Sequence, residues 1–270
     1  MSFAIRFLAC LLIAGRAILP ASAQETEADL YKAETIVTGT VEPERSRGFA
    51  AGALQVLVKL TGQLDLVGTS GAAALQKQAP ELVTEFSYED RMKDIPVHDE
   101  QGTRERPYFL RIRFDRQKFD HALAIAGFEK WIGKRPVVAV WLGIRDARSE
   151  YILSRDGEGG YSQRLVLDEA SKLRAIPIIL PDDAQTAVTF ADIEKGNRQT
   201  IEAVSLEHGA DAVLYGLLEF DGNAYWNCRW SAYGEDVDVQ WSLTGVTFDR
   251  ALKDRIDQVM SVYAARARQQ

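Results

Sequence analysis

Asp182 and Asp183 stand side by side after Pro181, at the end of an apolar run from Ile176 to Leu180. Open α/β sheets keep their ligand sites beyond the carboxyl ends of strands, so two adjacent carboxylates there would bind a cation or divide acid and base roles. The same Pro-Asp-Asp sequence also serves as a turn or helix cap, and both readings stay open. Trp131 is singled out by its neighbours. It lies in a connection beside Lys130, Lys134 and Arg135, where a large ring is either a wedge between two packed units or an exposed anchor for a partner. Trp131, Arg135, Asp182 and Asp183 are therefore the candidate binding residues, and none is given a catalytic role.

Other common chemistries lack their residues. The three histidines, His98, His121 and His208, are far from one another and from any cysteine at metal-ligand spacing, so no metal site is expected. The sequence holds no G-x-S-x-G elbow, no Walker-type loop and no G-x-G-x-x-G after a strand. Gly157, Gly159 and Gly160 follow a strand, but Asp156 and Glu158 between them would repel phosphate. A non-enzymatic protein without a cofactor is the expectation.

Met1 to Ala23 has the order of an export signal: Arg6, the apolar stretch Phe7 to Ala14, then Ala21-Ser22-Ala23 before Gln24. Cys10 within it raises the alternative of a lipid-modified cysteine. The formal charge is −7, and the departure of Arg6 and Arg16 with a cleaved signal leaves −9. A body that acidic repels phosphate backbones, which argues against nucleic acid as partner. No later stretch reaches the roughly 18 apolar residues of a spanning helix, so a periplasmic protein without an integral membrane segment is expected, with peripheral membrane association left open. Cleavage would also leave Cys228 as the one cysteine, between Trp226 and Trp230 on an alternating stretch, where a buried structural thiol is expected.

The elements that would position these residues follow from patterning. The uncharged run Pro136 to Ile144 predicts a central strand, opened by a proline that could not sit in its middle. Before it, the pattern predicts a strand at 33–41, a helix capped by Ser46 and stopped by Gly62, a short helix at 72–79 ended by Pro80, strands at 82–88 and 108–114 joined by a long charged connection, and a helix from Asp115 to Gly127. After it come a helix with Val166, Ala170 and Leu173 inward, a short strand limited by Pro177, a helix ending at His208-Gly209, strands at 212–220, 226–232 and 237–243, and a last helix with Phe248, Leu252, Ile256, Val259 and Tyr263 on one stripe. The fold class is α/β to α+β: two adjoining mixed-sheet modules with helices packed on the sheets, residues 24–130 and 131–270, after a signal at 1–23.

Val56-Leu57-Val58-Lys59-Leu60-Thr61-Gly62, Trp131 with Gly133 and Arg135-Pro136, Val140-Trp141-Leu142, Ile176 to Asp182, and Gly209 to Gly216 followed by Trp226 resemble the bacterial domain-of-unknown-function family numbered 2066, secreted proteins of Gram-negative cells. The sequence departs from that pattern at Ile132, inserted between Trp131 and Gly133, and at Ala175, where a glycine is usual. The second module is similar in order to the α/β domain of the Tol-system translocation protein, the curli secretion lipoprotein and penicillin-binding-protein activators. These resemblances imply an envelope protein of binding or assembly-accessory type with an envelope protein as partner. A carboxylate-dependent enzyme acting on an envelope component, or a small-ligand sensor using the cleft between modules, are the alternatives.

Overall fold

The computed structural model describes residues 29–93, 106–182 and 187–269; the expected signal, Cys10, His98 and Asp183 lie outside the described residues. The first module contains β1 (Lys32–Thr38), α1 (Glu44–Thr61), α2 (Ser70–Leu82), β2 (Val83–Asp90), β3 (Pro107–Phe114) and α3 (Arg116–Ile125). Its three strands lie in the order β1-β3-β2, paired antiparallel throughout. Alternation puts Ala33, Val37, Leu110, Ile112 and Phe114 on one face, where α1 lays Phe49, Ala53, Val56, Leu57 and Leu60. The close approach needs glycine, since a Cβ on Gly52 would stand 2.7 Å from Ile112 Cδ1. Gly62 ends α1 in the left-handed region, φ 69°.

Two helix ends differ from the sequence expectation. Ser46 does not cap α1. The helix begins at Glu44 behind Pro43, and the Ser46 hydroxyl donates to the Glu42 carboxylate at 2.7 Å. Pro80 does not end α2 but sits inside it. Burial of Ala79 and Leu82 carries the last turn past a residue that has no N–H to give.

The second module contains β4 (Val138–Arg145), β5 (Glu150–Ile152), α4 (Tyr161–Arg174), β6 (Ile178–Ile179), α5 (Phe190–Lys195), α6 (Arg198–Glu207), β7 (Ala212–Phe220), β8 (Trp226–Gly234), β9 (Val237–Val246), α7 (Phe248–Ala251) and α8 (Lys253–Ala267). The sheet order is β5-β4-β7-β8-β9, with β6 also pairing β4. β4 and β7 run parallel and are buried on both faces, which is why they read as continuous apolar runs. The two modules do not share β4; each keeps its own sheet. β6 has two paired residues, because Pro177 offers only its carbonyl, which accepts from Val138 N–H at 2.9 Å.

One face of this sheet packs Val140, Leu142, Leu214, Cys228 and Trp230 under α4 and α8. The other packs Trp141, Val213 and Tyr215 under α5 and α6, with Trp141 Nε1 donating to Ser205 Oγ at 2.9 Å. The terminal stripe is not one helix: Leu252, at φ −114° and ψ −69°, separates α7 from α8. The buried face of α4 carries Gln163, Leu167, Ala170 and Arg174; Ala170 is inward as expected and Val166 packs partly buried against the same core, while Leu173 is only partly buried. Arg174 closes that face. Fully buried, it reaches α8 to donate to Asp257 Oδ1 at 3.1 Å and Ser261 Oγ at 3.0 Å.

Candidate functional site

An α-helix leaves its last four carbonyls without partners in the helix. In α1 all four are taken. Val58 accepts from its own cap, Gly62 N–H, at 2.7 Å. The other three accept from the second module: Lys59 from Arg135 Nη2 at 2.6 Å, Leu60 from Trp131 N–H at 2.7 Å and Thr61 from Arg268 Nη1 at 2.7 Å. The Trp131 ring is 3% exposed and belongs to the second module's core. Trp131 and Arg135 are therefore parts of the junction, and Trp131 fills the wedge position. The side chain that faces solvent there is Ile132, 85% exposed.

The aspartate pair is only half described. Asp182 pairs with Arg155 at 3.2 Å, and Arg155 N–H donates to Pro181 O at 2.9 Å, so Asp182 helps tie the loop after β5 to the segment after β6. Asp183 lies outside the described residues. His121 is exposed on α3, and among the described residues no group of three His, Cys, Asp or Glu converges to hold a metal ion.

Flush at Trp131, the modules open into a groove of about 1110 Å³ alongside β1. One wall is the outer face of the first sheet, with Lys32, Glu34, Ile36, Phe109, Arg111 and Arg113; the other is α4, with Tyr161, Leu165, Asp168 and Lys172. Ile36, Tyr161 and Leu165 are 58%, 72% and 46% exposed. Three large apolar side chains facing one concavity are unlike the scattered exposed residues of an ordinary surface. Six Lys or Arg side chains line the groove against four carboxylates, a local basic surplus in a chain of formal charge −7.

The charges are organised across the strands. Arg111 meets Glu34 at 2.9 Å and Glu89 at 2.5 Å, and its hydrogen bonds to both hold its guanidinium still more firmly protonated. Arg113 meets Glu85 at 3.1 Å, and Lys172 meets Asp168 at 2.7 Å. Arg91 lies over the Phe109 ring, 4.9 Å from its centroid.

β1 is an edge strand, and its free edge runs along the groove. Gln55 of α1 acts there as a substitute strand residue. Its Oε1 accepts from Glu34 N–H at 3.3 Å and its Nε2 donates to Glu34 O at 2.8 Å. Lys59 Nζ donates to Lys32 O at 3.2 Å. By the alternation of an antiparallel ladder, the next outward N–H and C=O belong to Ile36, to which no side chain hydrogen-bonds among the described residues. Sequence reasoning missed this groove. The one available signal was that β1 and β3 alternate apolar with Lys, Glu and Arg, which identifies an outer face but not what stands opposite it.

No helix among the described residues is long and apolar enough to cross a membrane. No curated protein matches the chain. Residues 23–132 match the model of a domain of unknown function, DUF8605, a span that covers the first module and stops beside Trp131.

Proposed function

We propose that this chain is an exported envelope protein, periplasmic after loss of residues 1–23, that works by binding rather than by catalysis and holds an extended segment of a partner protein in the groove beside β1. The observation that carries this reading is the edge of β1 at Ile36, open to a basic groove that exposes Ile36, Tyr161 and Leu165. An added strand would gain main-chain hydrogen bonds from the edge, and pockets for alternate side chains would give selectivity. The basic surplus favours a segment carrying carboxylates between apolar residues. The likeness to the family numbered 2066 and to Tol, curli and penicillin-binding-protein-activator domains supports an assembly-accessory role in the envelope by analogy of fold.

The test is photocrosslinking in cells, with a benzophenone side chain at Ile36 or Leu165 and, as control, at Ile125, an exposed residue of α3. The expected result is a discrete envelope-protein adduct from both groove positions and none from Ile125. Equal adducts from all three positions, or residues 1–23 retained on a cytoplasmic product, would overturn the reading.

A further inference from the structure

A second concavity, about 520 Å³, lies on the opposite side of the second sheet from α8. Its floor is the face of β8 and β9 that α5 and α6 leave uncovered. Register makes it a small grid: Arg229 is the cross-strand partner of Ser242, and Ser231 of Gln240. Neighbours across a ladder share one face of the sheet, so guanidinium, two hydroxyls and a carboxamide sit together. Lys195 and Gly196, at the end of α5, form the rim.

The nearby carboxylates are engaged elsewhere. Glu194 lines the hollow and feels the charge of Arg229, but its carboxylate is bound by Arg145 at 2.7 Å, which also binds Glu150 at 2.8 Å and Glu219 at 2.7 Å. Glu202 and Asp238 are both held by Arg198, at 2.8 Å and 2.9 Å. Arg229 itself makes one long hydrogen bond, 3.5 Å, to the Glu194 carbonyl, and no carboxylate pairs with it among the described residues. Arg229, with no carboxylate within ion-pair distance among the described residues, presents a planar fork of donors to this polar hollow.

We infer that this hollow is an oxyanion site, in which Arg229, flanked by the hydroxyls of Ser231 and Ser242, receives the carboxylate or phosphate group of a small soluble ligand. The guanidinium fork matches two oxygens of such a group at once, and hydroxyls can donate to the rest. The volume falls within the range of about 300–1,000 Å³ typical of small-ligand pockets. The site is separate from the groove beside β1 and stands or falls independently of the proposal made for it.

The test is titration of the full chain with inorganic phosphate and, separately, with succinate, followed by backbone amide shifts in a low-chloride buffer. Saturable shifts confined to β8, β9 and the end of α5 are expected, with a dissociation constant of about 10 mM or tighter. Stronger binding of one probe tells phosphate from carboxylate chemistry. R229A is expected to weaken binding at least about tenfold, because it removes a charge-assisted pair, while S242A weakens it less and R113A, in the other groove, leaves it unchanged. Melting curves of R229A and S242A matching the parent would confirm that the exposed substitutions leave the fold intact. Absence of saturation by both probes at about 50 mM, or an R229A variant that binds as the parent does, would overturn the inference.

Discussion

The guanidinium carbon of Arg135 lies 4.4 Å from the centroid of the Trp131 ring, stacked on its face. The same guanidinium donates to the carbonyls of Lys59 and Arg174, one at the end of each module's first long helix. A cation over an indole, with its hydrogen bonds spent on helix-end carbonyls, lets the second module terminate α1 in place of water. Trp131→Ala is expected to cost about 3–5 kcal/mol, the range for deleting a buried large aromatic. Arg135→Ala, which leaves carbonyls without donors, is expected to cost about 1–3 kcal/mol. Gly62→Ala is also expected to destabilise, since φ is 69° and the new Cβ would stand 2.9 Å from the Trp131 ring. Denaturant unfolding of the three variants checks the order; a neutral Trp131→Ala would remove the ring from the junction's energetics.

Arg174 is a buried charge whose Nε has no hydrogen-bond partner among the described residues, while its other nitrogens hold Asp257 and Ser261. Breaking such a pair from one side leaves the other ion stranded, at about 3–5 kcal/mol, whereas replacing both ions by apolar groups is often neutral. Asp257 retains Lys253 as a second partner at 3.4 Å. Arg174→Ala is therefore expected to unfold earlier in denaturant than the parent, and the double variant Arg174→Met, Asp257→Leu to recover most of the loss. Recovery by neither the double variant nor Arg174→Lys would mean that packing, not charge, dominates the site.

Ala175 follows Arg174 in the left-handed region, φ 53°, and is buried. Glycine adopts that backbone without strain. For a residue with a Cβ that conformation costs about 1–2 kcal/mol. Ala175→Gly trades relief of that strain against a lost methyl and a freer unfolded chain, so it is expected within about 1 kcal/mol of the parent. Ala175→Val adds branching and volume and is expected to cost more than about 2 kcal/mol. Thermal unfolding of the pair measures the contrast, and equal stability would deny that the conformation is constrained.

Much of the second sheet was legible because buried parallel strands and half-buried hairpins leave different patterns. β7 is apolar without a break until Glu219, and Cys228, Trp230 and Ala232 alternate inward on β8. What was not legible depends on partners distant in sequence. The inward placement of Arg174 answers to Asp257 on α8, so counting apolar residues found Val166 and Ala170 but gave Leu173 in place of the arginine. α5 is six residues long and announces itself only through the Thr189–Asp192 capping box. Neither wall of the groove is unusual alone, since Ile36 and Leu165 read as outer-face residues until the two modules are set side by side.

Burial raises the proton affinity of the Cys228 thiol and of the Tyr263 hydroxyl, which donates to the Val213 carbonyl at 2.8 Å. A folded-state value above the unfolded one gives stability that is complete below the unfolded pKa and is lost as pH rises beyond it. Stability is therefore expected to decline from about pH 8.5, where an unfolded thiol ionises, and more steeply from about pH 10, where an unfolded tyrosine does. At the acid end the sign reverses. Hydrogen bonds from Thr189 lower Asp192 and Arg145 lowers Glu194, so their contributions are present above the ordinary carboxylate range and fade as pH falls through it. Urea midpoints from about pH 2 to about pH 11 check both limbs, and peptide mapping of alkylated protein is expected to find Cys228 unmodified at neutral pH until the chain is unfolded. Constant midpoints above pH 9, or rapid alkylation of native Cys228, would contradict the burial argument.

Gln55 holds both edge groups of Glu34, so the open part of β1 begins at Ile36. Exposed strand edges invite pairing with other chains, and proteins guard them. Gln55→Ala removes the guard without touching the sheet's interior. The Glu34 amide is then expected to exchange with solvent about tenfold faster or more, the effect of losing a hydrogen bond worth about 1.5 kcal/mol, while the Leu110 and Ile112 amides inside the ladder keep their protection. With a longer free edge, the variant should also self-associate at lower concentration than the parent in sedimentation experiments, and Ile36→Pro, which deletes the adjacent outward N–H, should reverse that gain. Unchanged exchange at Glu34 would show that the carboxamide does not seal the edge. Faster exchange without association would show that Lys59 and the paired charges around Arg111 keep other strands away even when the backbone is bare.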